Sequence, residues 1–252
     1  MTASARGADP VARIPVALAG ATGRMGARVA RAIEDSPDLS LVARPARGAL
    51  DGDWGGAKVL ADFTAPDVTA RLAELAQARG VGLLIGTTGL DPAGHRALED
   101  AGSRIAVLVA PNLSPGVAAL TRALRVALPA MPGADVEIVE RHHRGKADSP
   151  SGTALALARV AAEARGVSYP EALKHGRSGR PGPRGSGEIG VHAVRGGGIV
   201  GQHNVLLAGV HEVLELSHVA LDRECFAEGA LIAVRFLARA RPGVYALEDA
   251  LA

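Results

Sequence analysis

The chain has 252 residues, 48% of them hydrophobic and 21% charged, with a formal net charge of +2. That length allows one large domain or two modest ones, of which we expect two, and the near-neutral charge with scattered basic residues gives no warrant for a nucleic-acid partner. Cys225 is the sole cysteine, which excludes an intramolecular disulfide and a cysteine-built metal site and fits a reducing cytoplasm, and no run approaches the roughly 20 apolar residues of a membrane span.

Residues 1–13 are small and charged, without the apolar core of a secretory signal, and are expected to form a disordered lead-in. The apolar run 14–19 then ends in Gly20-Ala21-Thr22-Gly23-Arg24-Met25-Gly26, after which Met25, Val29 and Ile33 recur at four-residue spacing, so the order is strand, glycine turn, helix. Further apolar runs lie at 39–43, 59–63, 81–85 and 105–110, with helical patterns after 59–63 (notably 68–78) and after 81–85. Such alternation predicts parallel strands joined by right-handed crossovers.

A glycine turn between a first strand and a first helix lets backbone N–H groups approach a pyrophosphate at the helix's positive end, which predicts a dinucleotide site on Gly20, Gly23 and Gly26. The spacing is G-x-x-G-x-x-G, so the β-α-β context carries the reading more than the motif does. Sites that prefer NAD usually place an acidic residue about 20 residues beyond the loop to hold the ribose, and 42–50 has none. Arg44 and Arg47 stand there instead, where an adenosine 2′-phosphate would lie. The expected cofactor is NADPH, with NADH possible.

After Asn112-Leu113-Ser114-Pro115 the pattern changes. A helix over 116–128 leads to a strand at 136–139, a His-rich segment and its helix, and then strands at 189–194, 204–208 and 213–219 with little helix between them, which reads as α+β on a mixed or antiparallel sheet. Residues 176–187 are drawn only from Gly, Arg, Ser and Pro and predict an exposed loop, flexible or ordered by a partner subunit. A long amphipathic helix over 225–238, with Phe226, Ala230, Ala233, Val234 and Leu237 on one side, is expected to return to the first domain.

Residues 140–153 carry the chemistry. His142 and His143 offer donors near neutral pH, Lys146 supplies a compact cation in a chain with three lysines against twenty-five arginines, and Ser151-Gly152-Thr153 opens onto the Ala-rich helix from Ala154 to Val160. Ser151 or Thr153 would cap that helix, and the freed N–H groups at its start would point at a carboxylate or phosphate. No metal is expected: adjacent histidines project differently on a strand, and Arg141, Arg144 and Lys146 disfavour a cation.

Together, Gly20-Ala-Thr-Gly-Arg-Met-Gly26, Asp62-Phe-Thr64, Ile85-Gly-Thr-Thr-Gly89, Ala110-Pro-Asn-Leu-Ser114, the segment 140–153 and Arg195 to Gly201 resemble the 4-hydroxy-tetrahydrodipicolinate reductase (dihydrodipicolinate reductase) family over nearly the whole chain. The resemblance implies NAD(P)H-dependent reduction of a cyclic dicarboxylate with net loss of water, in lysine and diaminopimelate biosynthesis. It implies His142 and Lys146 as the acid pair, and His143, Ser151, Gly152 and Thr153 (with Lys146) as the grip on the substrate carboxylates. Gly20, Ala21, Thr22, Gly23, Arg24 and Met25 would cradle the pyrophosphate, Gly86, Thr87 and Thr88 would line the nicotinamide side, and Ala110, Pro111, Asn112 and Leu113 would close the far side. Where many members carry an acidic residue on the ribose this chain has Ala46, followed by Arg47 at the family's phosphate-facing arginine.

The architecture implied is α/β: a Rossmann-type dinucleotide-binding domain, 14–113 plus 223–252, and a second α+β domain on a mixed sheet, 114–222, which binds substrate and builds a homotetramer. Two rivals stand beside this reading. Another two-domain NADP-dependent dehydrogenase of a small amino acid would have no use for Ser-Gly-Thr beside His-His-x-x-Lys, and a non-catalytic nucleotide-sensing regulator would have no use for intact His142, His143 and Lys146.

Overall fold

The computed structural model describes residues 12–251. Of the expected lead-in 1–13 only Ala12 and Arg13 fall within them, and both are exposed. In chain order the first half comprises β1 (Ile14–Ala19), α1 (Arg24–Asp35), β2 (Leu39–Ala43), β3 (Val59–Asp62), α2 (Pro66–Arg79), β4 (Gly82–Ile85), α3 (Pro92–Gly102) and β5 (Ala106–Val109). The second half continues with α4 (Pro115–Ala130), β6 (Asp135–His142), α5 (Gly152–Arg165), β7 (Leu173–His175), β8 (Ile189–Arg195), β9 (Gly201–Ala208), β10 (Val213–Ala220), α6 (Glu224–Leu237), β11 (Gly243–Tyr245) and a 3₁₀ turn, Leu247–Leu251.

Two compact units result. One holds the described residues up to Ala110 and then Ala230–Ala246, and the other holds Pro111–Gly229 and residues 247–251. The first is built on an all-parallel sheet in the order β11-β5-β4-β3-β1-β2. Its central strands are covered on both faces, so β3 is buried throughout and its sequence is apolar up to the buried Asp62 at its end. In α1 the buried stripe is Gly26, Val29, Ala30 and Ile33, while Pro66 opens α2 and Gly80, left-handed at φ 65°, closes it.

The second unit is a mixed sheet in the order β10-β9-β6-β8-β7, with α4 and α5 packed on one face. Alternation on β6 turns Val136, Ile138, Glu140 and His142 inward and leaves Glu137, Val139 and Arg141 on the other face. The strand outruns the expected 136–139 because β8 pairs with it as far as His142 opposite Arg195. On the uncovered face Val194, Val213 and Val219 are exposed.

The loop 176–187 is exposed, but two of its arginines are engaged by this chain's own carboxylates. Arg177 bonds Glu137 and Glu188, and Arg184 bonds the Val136 carbonyl and lies 3.3 Å from Asp135. Residues 247–251, expected within the first domain, belong to the second unit, because Leu247 is buried and the turn packs on α4. On α6 the inward stripe takes Ala227 in place of the expected Phe226, which is half-buried.

Gly229 sits inside α6, where glycine costs about 1 kcal/mol relative to alanine. Space is the reason: a Cβ there would lie 1.6 Å from the Leu113 carbonyl oxygen. Gly229→Ala is therefore expected to destabilise the protein by about 3 kcal/mol or more, as overpacking does, rather than to gain helix propensity. A thermal melt checks this, and an unchanged or raised melting temperature would contradict it.

Candidate active site

In the first unit β1 lies between β2 and β3, so successive connections leave it in opposite directions and the carboxyl end of the sheet opens at that switch point. The glycines there do different jobs. Gly20 has φ +79° and a Cβ on it would lie 2.4 Å from the Phe63 carbonyl, while a Cβ on Gly26 would lie 2.0 Å from the Gly20 carbonyl. Those two answer to the chain's own packing. Gly23 is the exposed one, though a Cβ on it would still lie 3.3 Å from the Gly20 carbonyl: it caps α1 with no side-chain hydrogen bond, and Thr22 and Arg24 are exposed beside it. Unpartnered N–H groups of the first turn thus face out beside a positive helix end, which fits a dinucleotide pyrophosphate.

The loop after β4 is fastened to the loop after β3 by Asp62, which is fully buried. Its carboxylate accepts from Thr64 N (2.8 Å), Thr64 Oγ1 (2.6 Å), Thr69 Oγ1 (2.6 Å) and Thr87 Oγ1 (3.0 Å). A Cβ on Gly86 would strike the Phe63 ring, so Gly86 and Thr87 sit against the glycine-loop side of the sheet, Thr88 is exposed next to them, and Ala110 joins through its N–H to Ile85 O. Arg44 pairs with Glu34 and Arg47 with Asp67, all four side chains being largely exposed.

Pro111, Asn112 and Leu113 belong to the second unit. There Asn112 Oδ1 accepts from Ser114 N at 2.8 Å, which fixes the amide so that Nδ2 donates to Thr153 Oγ1, also at 2.8 Å. The Thr153 hydroxyl keeps its own proton to give elsewhere. Ser151 caps α5, accepting from Ala154 N at 3.2 Å, while Gly152 has no heavy atom within 4 Å of its would-be Cβ. The N–H groups of that first turn have no acceptor inside the helix.

Around this helix start the inward face of the sheet turns polar. Glu140 is fully buried and accepts from both terminal nitrogens of Arg195 (2.7 and 2.8 Å) and from Ser151 N (2.9 Å), and it shares a hydrogen bond with His142 Nδ1 (2.6 Å). His203 lies across from Glu140 on β9, with its Nε2 3.2 Å from Ser151 Oγ and its ring edge-on to His142 at 5.3 Å. His218 follows on β10, stacked at 6.4 Å and 3.1 Å from Ser114 Oγ. Lys146 Nζ pairs with Asp148 at 2.8 Å, and Arg195 also donates to the Asp148 carbonyl. His143 is half-buried on the turn beside Gly145.

Burial pushes the Glu140 carboxyl up, but Arg195, His142 and the Ser151 N–H outweigh it and hold the group below the usual carboxylate range. Burial also lowers His142, against the pull of Glu140, so it is neutral at pH 7. In His203 burial, followed by the neighbouring His142 and His218, takes the imidazole down to about 4. Asp148 is lowered chiefly by Lys146. Among the described residues no group of three or more His, Cys, Asp or Glu is placed to hold a metal ion, and no helix is long and apolar enough to cross a membrane.

The structure thus brings Gly20–Met25, Gly86–Thr88 and Ala110 together in one unit, and His142, His143, Lys146, Ser151, Gly152, Thr153 and Asn112 in the other. Sequence reasoning gave no role to Glu140, Arg195, His203 or His218. Their signal lay in the alternation, since each occupies an inward position on a strand whose other inward residues are mostly apolar.

Residues 14–113 match the model of the dihydrodipicolinate reductase N-terminus and residues 116–251 that of its C-terminus. The 4-hydroxy-tetrahydrodipicolinate reductase of Rubrobacter xylanophilus is 42% identical, with 94% of this chain and 98% of that protein covered. That of Nitrosomonas eutropha is 40% identical, with 94% and 97% covered. Among solved structures, a dipicolinate-bound dihydrodipicolinate reductase from Paenisporosarcina sp. TG-14 superposes with a TM-score of 0.77 at 24% identity, over 94% of this chain and 99% of that one, and so shares the fold. With both halves matched in order and its relatives aligned nearly end to end, the chain belongs to the dihydrodipicolinate reductase family.

Proposed function

We propose that this oxidoreductase reduces 4-hydroxy-tetrahydrodipicolinate to tetrahydrodipicolinate and water with NADPH, and that the polar inward end of the second sheet receives the dicarboxylate. The observation that supports this reading is the network at the open first turn of α5, in which Glu140 holds His142, the Ser151 N–H and Arg195, Arg195 reaches the Asp148 carbonyl, Asp148 pairs with Lys146 and Asn112 donates to the Thr153 hydroxyl, a set suited to two carboxylates and a proton transfer. Loss of the 4-hydroxyl as water leaves a conjugated imine, and the nicotinamide, when bound, would supply the hydride to its C4. The residues of this chain supply the rest. Lys146 gives the proton that the nitrogen side of the conjugated imine needs as negative charge gathers there, with neutral His142 alongside. His143, the Thr153 hydroxyl and the N–H groups of Gly152 and Thr153 hold the carboxylates. A regulator without catalysis would leave this set of donors without a task.

The exposed pairs Arg44–Glu34 and Arg47–Asp67 are worth at most about 1 kcal/mol each, so a 2′-phosphate dianion can take over Arg47. This supports the preference for NADPH. The uncovered face of the second sheet, with Val194, Val213 and Val219 exposed, supports a homotetramer assembled through it.

The test is NADPH oxidation with substrate generated in place by a synthase from pyruvate and aspartate semialdehyde. Turnover that requires the synthase is expected; none, from protein that still binds NADPH, would overturn the reading. In that assay Lys146→Ala should lower kcat by about 100-fold or more, and unchanged turnover would remove it as proton donor. Arg47→Ala should raise the KM for NADPH about tenfold and leave that for NADH unmoved; a lower wild-type KM for NADH than for NADPH would sink the preference.

Holding His203 neutral also shapes stability. Its folded-state value lies below the unfolded one, so the contribution is complete above about pH 6.5 and is lost as pH falls towards about 4, amounting to about 3 kcal/mol. Denaturant melts across that window should show the decline, and His203→Gln should flatten it.

A further inference from the structure

We infer that Glu140 is a positioning residue that commits His142 to a single tautomer, with the proton on Nδ1 and Nε2 as the only nitrogen free to exchange one during the reaction. The inference rests on the functional reading above and goes beyond it, since that reading gives Glu140 no role.

Donors and acceptors around Glu140 decide the tautomer. A carboxylate has about four acceptor positions. In Glu140 Oε1 receives the Ser151 N–H and one Arg195 nitrogen, and Oε2 receives the other Arg195 nitrogen and His142 Nδ1. Arg195 and a backbone amide can only donate, so they fill both positions on Oε1 and one on Oε2, and the guanidinium against both oxygens keeps the carboxyl ionised, which leaves it no proton to give in its remaining contact. Contact between Glu140 and His142 therefore requires a proton on Nδ1, in the neutral ring and in the imidazolium alike. The rest of the ring's surroundings agree. The Nε2 edge lies against Gly201, where a Cβ would stand 3.1 Å away. Glycine is the residue that leaves that nitrogen uncovered.

Other groups around His142 sharpen the consequence. Glu140 lies on its own strand, Arg195 on β8, His203 on β9 and Lys146 on the loop that follows, with Asp148 balancing Lys146. Arg195 cancels the charge of Glu140, so the carboxylate orients the ring more than it charges it. His203, held neutral by burial, leaves no second imidazolium to compete. What Glu140 provides is direction and tautomer, and it touches no substrate atom itself.

The test has a readout that does not depend on turnover. Nitrogen-15 spectra of the ring, recorded on the full-length protein and assigned by comparison with His142→Asn, should show His142 with hydrogen on Nδ1 and none on Nε2 above its titration. A ring protonated on Nε2 would overturn the inference even in an active reductase. An enzyme without reductase turnover but with the Nδ1 tautomer would instead remove the functional reading and leave the geometry.

Glu140→Gln places an amide donor against the donors of Arg195 and breaks the arrangement. The expected result is a fall in kcat of about 100-fold with KM changed less than threefold, and a lower apparent pKa on the acid limb of the pH–rate profile. Glu140→Asp, which keeps the charge, should recover part of kcat and move the acid limb back. If Glu140→Gln is folded by circular dichroism and retains the wild-type profile, or loses activity only in proportion to its unfolded fraction, Glu140 is structural and the inference fails.

Discussion

A buried carboxylate with every acceptor position filled is the constraint around which the second unit is arranged. Glu140 is fully buried in a layer that otherwise holds Val136, Ile138, Val205 and Leu207, where an uncompensated charge would cost several kcal/mol. Its four donors come from β8, from β6 itself and from the start of α5. Satisfying one charge therefore fixes the register of two strands, the position of a helix terminus and the orientation of an imidazole. Since Arg195 cancels the charge, the cluster is close to neutral overall, and Glu140 sets no net negative charge against the start of α5.

The first unit solves a parallel problem with a different device. Asp62 is also fully buried, but its partners are the hydroxyls of Thr64, Thr69 and Thr87 and one backbone N–H, with no cation among them. The loop after β3, the first turns of α2 and the loop after β4 are tied to one another at the sheet's carboxyl end, and the glycine turn is pressed against them by the contact of Gly20 with Phe63. Both units place a fully satisfied acidic residue at a strand end and leave an uncapped or freshly capped helix start beside it. That arrangement suits anionic groups, the pyrophosphate in one case and the carboxylates in the other.

Much of the fold was legible because local and global signals agree. The runs 14–19 and 39–43 are β1 and β2 residue for residue, and the glycine turn and its helix follow as expected. β7 and β11 escaped because three residues are too few for a period, and 247–251 carries no signal of which core receives Leu247. The His-rich segment stood out through its rare lysine and paired histidines. Its supports did not, since they are distant in sequence and only strand pairing brings Arg195 and His203 beside Glu140 and His142, and His218 beside His203. A polar residue in an inward phase was their one visible trace. For the glycines, the motif was readable and the reasons were not: Gly20 and Gly26 serve the chain's own contacts, and Gly23 alone faces outward.

The central claim is that the polar inward end of the second sheet, organised by Glu140, is where a dicarboxylate and its proton donor meet. A crystal structure with NADP and pyridine-2,6-dicarboxylate bound tests it most directly. The account predicts one carboxylate on the Thr153 hydroxyl and the first-turn N–H groups of α5, Lys146 within hydrogen-bond reach of the ligand, and the four donors to Glu140 unchanged. A ligand bound away from α5, or a Glu140 released from Arg195 to contact it, would contradict the account.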